Sequence, residues 1–271
     1  MSRGFSLFIA FLGGICISLL VVLGLQRSLE NREQGLLASS ADAGAPRTPA
    51  SSKSLFEVAQ ALREGGFILY FRHPERQKWD SVIAFDVWEA MSGEDASQQF
   101  YKDAVCLTPR GEAEARMVGK ILEAARIPVG TVVSSPICRA RQMAQLAFAR
   151  IDVVSHSLIH TPVTNTTNEA AFRDGLQALL TTVPIKPGTN TVITAHENTI
   201  RNHPDLFAAG SEMLRGGAVS ETGLYVLKRD ARGQLEIVQK YMSLGNLASN
   251  AITLQADGPA AKASAPMAAK H

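Results

Sequence analysis

Residues 65–73 read GGFILYFRH: two glycines, a run of apolar and aromatic residues, and then Arg72-His73. The glycines break a helical pattern over residues 54–64, because glycine is unfavourable inside a helix. A near-continuous apolar run of this length is typical of a strand buried on both faces, as strands are in parallel sheets. The run therefore predicts a central strand over Phe67–Phe71 that delivers Arg72 and His73 at its carboxyl end.

Helical and strand patterns alternate along the rest of this region. Thr108 followed by Pro109 has the pattern of an N-cap and a first helical residue, and Pro128 marks the end of that helix. Ser134-Ser135-Pro136 predicts the start of a further helix, with Arg139 in its first turn. The alternation predicts an α/β fold: a three-layer α/β/α sandwich with a mostly parallel central sheet. The other predicted elements are strands over Thr131–Val133 and Thr191–Ala195, a helix over residues 168–182, and a hairpin of Leu224–Lys228 with Leu235–Tyr241.

The N-terminal segment has a different character. Residues 5–25 carry no charge and provide roughly the 20 apolar residues that cross a bilayer, so residues 1–25 are predicted to form a transmembrane signal anchor, an N-terminal transmembrane helix. A cleaved signal peptide is the alternative, with small residues around positions 41–43. Long C-terminal domains translocate largely regardless of loop charge. The domain that follows is therefore expected outside the cytoplasm, which in a bacterium means the periplasm, with the membrane as a partner of the N-terminal helix.

Composition sets the bounds of the folded part. Residues 26–53 are rich in Ser, Ala, Gly and Pro, which predicts a flexible linker. Residues 251–271 have the same character and are predicted to be a low-complexity tail. The folded domain is expected over residues 54–250. The net charge of the whole chain is only +2, so no nucleic-acid partner is expected.

Two of the three cysteines, Cys106 and Cys138, belong to the predicted domain. A single disulfide between them is possible, but two cysteines in a domain of this size are more often small buried residues without a bond, so the sequence favours free thiols. The redox state stays open at this level.

Three strand ends carry the residues that suit phosphate chemistry: Arg72-His73, Arg139 on the helix after the second strand, and His196. In open α/β sheets ligands bind beyond the carboxyl ends of the strands. A neutral imidazole can attack phosphorus, and a guanidinium donates paired hydrogen bonds to phosphate oxygens. The helix start before Arg139 would also favour an anion.

Four ordered segments resemble the histidine phosphatase superfamily, also called phosphoglycerate-mutase-like, over nearly all of residues 65–228. By that resemblance His73 is the nucleophile that becomes phosphorylated, Arg72 and Arg139 bind phosphate, and His196 completes the pocket. No spacing of metal ligands recurs along the chain, so no cofactor or metal site is expected. The segments are FILYFRHPER, CLTPRGEAEARMVGKIL, VVSSPICRARQMA and TVITAH.

The sequence departs from the family pattern at Pro74, where glycine is usual. Proline lacks a backbone donor and fixes φ, so the turn near phosphate is expected to differ. Glu75-Arg76 is similar to the variant with an acid and an arginine found in bacterial envelope phosphatases, which makes Arg76 a third candidate phosphate ligand. No carboxylate stands where the mutase branch keeps its proton donor. Glu197 is the preferred donor and Glu75 the second choice.

These features predict a phosphomonoesterase that hydrolyses a small phosphorylated substrate through a phosphohistidine on His73. A phosphoglycerate-mutase-type phosphotransferase is the alternative within enzymes. A catalytically weak phosphate-binding envelope protein is the alternative from another class. An insertion at residues 77–105 separates the nucleophile motif from the next helix, and it is free to cover the pocket or to pack as core.

Overall fold

The structure, a computed structural model, describes residues 55–78, 86, 89, 104–159 and 169–249. The chain divides into two compact units, Met1–Ser52 and Lys53–His271, and every described residue lies in the second. Within this described part, no helix is both long and apolar enough to cross a membrane. The predicted anchor, linker and C-terminal tail lie outside the described residues.

The first half of the domain alternates helices and strands as the sequence predicts. Thr108 caps the helix after the insertion, because its hydroxyl accepts a hydrogen bond from the backbone N–H of Gly111 at 3.0 Å and Pro109 opens the helix. The elements are helix α1 (Leu55–Glu64), strand β1 (Ile68–Arg72), helix α2 (Pro109–Ala124), strand β2 (Val129–Ser134), helix α3 (Cys138–Phe148) and strand β3 (Val153–Val154).

The second half adds the remaining strands of the sheet. The predicted hairpin is confirmed, and β3 and the short strand at residues 207–209 are additional to the predicted set. The elements are helix α4 (Glu169–Thr182), strand β4 (Asn190–Ala195), helix α5 (Glu197–Arg201), strand β5 (Phe207–Ala209), helix α6 (Glu212–Arg215), strand β6 (Leu224–Arg229) and strand β7 (Leu235–Tyr241).

These strands form one seven-stranded sheet in the order β3-β2-β4-β1-β6-β7-β5. Strand β1 lies at its centre, parallel to β4 and antiparallel to β6. The half that contains β1 to β4 is parallel, and the hairpin of β6 and β7 makes the whole sheet mixed. The chain is thus a mixed α/β fold, and the carboxyl ends of β1, β2 and β4 meet at one edge.

Apolar side chains cover both faces of this sheet. On one face Leu69 and Phe71 of β1 pack with residues of α1, α2 and α3. On the other face Ile68 and Tyr70 pack with residues of α4 and of the hairpin. Successive side chains of a strand point to opposite faces, so a strand buried on both faces is apolar along its whole length. This burial explains the FILYF run and makes β1 a rigid support for the residues that follow it.

The sequence favoured free thiols for Cys106 and Cys138, and the structure shows that this prediction is wrong. Cys106 and Cys138 form a disulfide, with their Cα atoms 5.1 Å apart. The bond joins the end of the insertion to the first residue of α3. Sequence spacing could not show this pairing, because 32 residues separate the two cysteines and only the fold brings them together.

Candidate active site

His73 follows the last residue of β1 and is 5% exposed. Its backbone N–H donates to the carbonyl of Ala195 at 3.0 Å, which fixes it beside the end of β4. Its Nδ1 lies 2.8 Å from the carbonyl oxygen of Pro74. A carbonyl only accepts hydrogen bonds, so Nδ1 carries the proton and Nε2 of the neutral ring keeps its lone pair. The neutral ring therefore has the tautomer that a nucleophile needs.

The surroundings of His73 keep the imidazole neutral. Burial lowers the pKa of His73 well below its usual value, and the positive charges of Arg139 and, more weakly, Arg72 and Arg76 act in the same direction. The hydrogen bond to Pro74 opposes this shift but does not outweigh it. The ring is thus unprotonated at neutral pH, and three guanidinium groups lie close enough to act on it.

His196 lies across from His73, with ring centroids 5.4 Å apart in an edge-to-face arrangement. Its Nδ1 is 3.3 Å from Nη2 of Arg139, and its Nε2 is 3.2 Å from the hydroxyl of Ser135. A guanidinium can only donate, so Nδ1 accepts and Nε2 carries the proton in the neutral ring. The two histidines and Arg139 therefore form one cluster at the ends of β1, β2 and β4.

Arg139 is held by a carboxylate that the sequence did not single out. Its Nη1 and Nη2 each donate to one oxygen of Asp86 at 2.6 Å, and the two side chains are 2% and 4% exposed. Asp86 comes from the insertion. Arg139 thus enters the site already paired with a carboxylate, in the bidentate geometry that guanidinium groups prefer.

Arg72 and Arg76 flank the same cluster and are half-buried. Nη1 of Arg72 donates to the carbonyl of Val219 at 2.6 Å, which directs this side chain toward the loop before β6. Burial and the charge of Arg139 lower the pKa of Arg76, while the charges of Asp86 and Glu221 raise it. The three predicted phosphate ligands, Arg72, Arg76 and Arg139, thus all lie near enough to the predicted nucleophile for their charges to lower the pKa of His73.

The two predicted proton donors form hydrogen bonds and ion pairs with residues outside the histidine cluster. Glu197 is 5% exposed; its Oε1 accepts from the hydroxyl of Tyr225 at 3.4 Å and lies 3.6 Å from Nε of Arg201. Glu75 accepts from the hydroxyl of Thr108 at 2.8 Å and lies 3.5 Å from Arg110. None of these hydrogen bonds and ion pairs joins Glu197 or Glu75 to His73, His196 or Arg139. The function of Glu197 as donor stays a hypothesis.

The turn after His73 is supported by the start of α2. The backbone N–H of Thr108 donates to the carbonyl of Glu75 at 3.1 Å. A Cβ added at Gly111 would lie 1.9 Å from that same carbonyl oxygen, so only glycine allows this approach. Pro74 is buried and contributes its carbonyl to His73, so the residue that departs from the family pattern holds the nucleophile in its tautomer.

Two carboxylates of the insertion are the functional candidates that the sequence reasoning missed. Asp86 pairs with Arg139, and Oε1 of Glu89 accepts from the backbone N–H of Cys138 at 2.6 Å. The sequence contains one signal that could have found them. Both acids lie three residues apart inside the apolar run VIAFDVWEAM at residues 82–91, and a buried acid requires a partner. Among the described residues, His, Cys, Asp and Glu side chains form no cluster suited to a metal ion.

No family model matches the chain, and no curated protein matches it in sequence. Solved structures do match. The protein histidine phosphatase SixA complexed with tungstate is 16% identical, with a TM-score of 0.44, and the match covers 67% of this chain and 99% of that chain. Phosphoserine phosphatase from Entamoeba histolytica in complex with 3-phosphoglyceric acid is 15% identical, with a TM-score of 0.44 and coverage of 67% and 98%. Alpha-ribazole phosphatase from Shigella flexneri is 14% identical, with a TM-score of 0.42 and coverage of 66% and 96%.

These matched structures are members of the histidine phosphatase superfamily, the family that the four sequence motifs resemble. At this identity and TM-score, the likeness by itself gives this chain no activity. The arrangement of His73, His196 and the three arginines is the independent observation that bears on chemistry.

Proposed function

We propose that this protein is a phosphatase of the histidine phosphatase superfamily that hydrolyses a phosphomonoester through a phosphohistidine on His73. The observation that carries the proposal is the buried neutral imidazole of His73, whose Nδ1 is fixed by the carbonyl of Pro74. The positive charges of three guanidinium groups act on this ring. A lone-pair nitrogen amid fixed positive charges suits attack on a phosphoryl group whose oxygens carry negative charge.

In the first step, Nε2 of His73 attacks phosphorus, and the bond between phosphorus and the alcohol oxygen breaks. Arg72, Arg76 and Arg139 hold the other phosphate oxygens. The leaving alcohol takes a proton from a carboxylic acid, for which Glu197 is the first choice and Glu75 the second. Phosphorylation at Nε2 leaves the proton on Nδ1, where the carbonyl of Pro74 keeps holding it.

In the second step, water attacks the phosphohistidine. The bond between Nε2 and phosphorus breaks, the proton of the water returns to the carboxylate, and inorganic phosphate leaves. His196 packs beside this reaction and accepts from Arg139, which fixes both side chains. The enzyme thereby returns to its starting state without a metal or another cofactor.

The test compares full-length protein with His73→Ala, using p-nitrophenyl phosphate as substrate. We expect His73→Ala to lose at least about 1,000-fold in kcat, because removing a covalent nucleophile leaves only binding and positioning. His156→Ala is the matched control, since His156 is exposed and lies after β3. Equal phosphate release by the wild type and His73→Ala would contradict the proposal.

The same assay tests the proton donor. If Glu197 protonates the leaving group, Glu197→Gln slows alkyl phosphates much more than p-nitrophenyl phosphate, whose phenolate leaves without help. Glu75→Gln is measured in parallel. A uniform loss on both substrates would indicate that Glu197 supports the fold around Tyr225 and Arg201 and is not the donor.

We also propose that the domain is exported and held at the outer side of a membrane by residues 1–25. The disulfide between Cys106 and Cys138 supports this proposal, because such bonds persist in oxidising compartments and are rare in the cytosol. Rapid acid quenching of cells followed by alkylation reports the state of both thiols. Alkylation of both cysteines without prior reduction would count against export.

A further inference from the structure

We propose that Asp86 is a positioning residue for phosphate binding: its carboxylate holds the end of the Arg139 guanidinium and thereby directs the Nε–H group toward a phosphate oxygen. The inference rests on the proposed phosphatase function. It assigns a function to the insertion, which none of the four sequence motifs includes.

The hydrogen bonds of Arg139 define two separate edges. The end of the group, Nη1 and Nη2, meets the two oxygens of Asp86 at 2.6 Å each. On the side of the group, the second hydrogen of Nη2 is donated to Nδ1 of His196 at 3.3 Å, and the Nε–H group lies on this same side. A guanidinium presents five donors in a fixed plane, so binding at one edge orients the other.

The Nε–H group of Arg139 is the observation that indicates a binding site for a ligand. Among the described residues it has no hydrogen-bond partner, although the side chain is only 2% exposed. A buried N–H without a partner is unfavourable, and such groups are rare unless a ligand or water satisfies them. A phosphate oxygen that accepts from Nε would do so next to His73, whose imidazole the charge of Arg139 already affects.

A second carboxylate fastens the same segment to the same helix. Glu89, three residues after Asp86, accepts from the backbone N–H of Cys138 at 2.6 Å, and Cys138 directly precedes Arg139. Both acids are buried, 4% and 3% exposed. Asp86 and Glu89 thus bind two consecutive residues at the start of α3, Arg139 and Cys138.

A competing function for Asp86 makes the opposite prediction. A carboxylate on an arginine can imitate phosphate, so that substrate must displace it before binding. In that case removing the charge of Asp86 would strengthen phosphate binding. If Asp86 positions Arg139, the same change weakens binding, because the guanidinium loses its fixed orientation.

The experiment uses full-length protein and measures kcat and KM for p-nitrophenyl phosphate, together with equilibrium binding of inorganic phosphate. We expect Asp86→Asn to raise both KM and the phosphate Kd by about 10- to 100-fold. Asp86→Glu should recover part of this loss. Asp152→Asn is the matched control, because Asp152 pairs with Arg150 on the surface, away from the cluster.

A double-mutant cycle with Arg139→Lys tests whether Asp86 acts through Arg139. A lysine has no pair of terminal nitrogens for the carboxylate of Asp86 to orient. In the Arg139→Lys variant, Asp86→Asn should therefore change the phosphate Kd less than about 3-fold. Equal effects in both backgrounds, or a KM and Kd that decrease in Asp86→Asn, would overturn the proposal. If Asp86→Asn does not fold, the comparison is made with Asp86→Glu, where an unchanged Kd and KM would also overturn it.

The two proposals fail in different ways. If the phosphatase proposal is wrong, His73→Ala and the wild type release phosphate equally, and phosphate binding still reports on Asp86. If only the positioning proposal is wrong, His73→Ala abolishes turnover while the Asp86 variants keep the wild-type KM and Kd.

Discussion

At the scale of single residues, the site consists of groups whose chemistry is set by burial. His73 is neutral because it is buried among positive charges, and its tautomer is set by a single carbonyl. Residue type and position at a strand end or helix start predicted Arg72, His73, Arg139 and His196 as neighbours, whereas Arg76 was predicted from the family resemblance. Their pairing with Ser135 and Asp86 was not predictable, because those contacts join separate parts of the chain.

Glu89 gives a prediction about pH and stability. Burial raises the pKa of Glu89 from 4.5 to about 7, against the hydrogen bond from Cys138, which lowers it, while the charge of Asp86 also raises it. Because the folded-state pKa is the higher one, the unfolded chain ionises first as pH rises, and the free energy of unfolding falls between pH 4.5 and 7. Glu89→Gln should remove this loss. Urea denaturation should show the variant gaining up to about 3 kcal/mol over the wild type between pH 4.5 and 8.

Glu64→Gln is the control for that series, since it removes an exposed carboxylate at the end of α1. A difference between Glu89→Gln and the wild type that stays constant across the pH range would contradict the prediction. It would mean that the pKa of Glu89 is the same in the folded and in the unfolded chain.

At the scale of elements, the start of α2 positions the nucleophile turn. Gly111 lies against the carbonyl of Glu75, two residues after His73, where a methyl group cannot fit. Gly111→Ala should therefore push the turn away, lower the free energy of unfolding by about 1–3 kcal/mol and reduce kcat. Thermal unfolding and turnover of p-nitrophenyl phosphate measure the two effects.

Gly119→Ala is the matched control on the same helix. Its added Cβ would lie 2.2 Å from the carbonyl of Ala147, at the contact between α2 and α3. We expect a similar loss of stability with kcat retained, because this contact is remote from His73. If both variants lose activity equally, α2 has no specific function in holding the turn.

The elements also separate what was predictable from what was not. The FILYF run, Thr108-Pro109 and the hairpin each carry their own local signal, and the structure confirms all three. Strand β3 has only two residues, both exposed, so no apolar pattern marks it. The contacts at the start of α3 were also not predictable. The hydroxyl of Ser135 contacts His196, and the backbone N–H of Cys138 donates to Glu89 of the insertion.

At the scale of the whole molecule, the disulfide joins two parts of the site. Cys106 directly precedes Leu107, which pairs with Arg76, and Cys138 directly precedes Arg139. Replacing both cysteines by serine should lower the free energy of unfolding by about 2–4 kcal/mol, because the bond closes a loop of intermediate length. Phosphate binding should weaken as well, since both arginines lose a shared support.

Urea denaturation and phosphate titration, each with and without dithiothreitol, measure these effects. The reductant should change the wild type and leave the double-serine variant unaffected. Cys16→Ser, which changes the cysteine outside the described residues, is the control. A wild type that is equally stable and equally active in dithiothreitol would refute the prediction.

The sequence by itself determined the α/β alternation, the central strand and the residues at its end, because apolar periodicity, helix caps and glycine breaks are local properties of the chain. The tertiary structure decided which groups those residues meet. Asp86 on Arg139, Glu89 on Cys138 and the bond between Cys106 and Cys138 all join positions more than 30 residues apart. Such contacts depend on how residues distant in the chain meet at the start of α3, and no local pattern encodes that meeting.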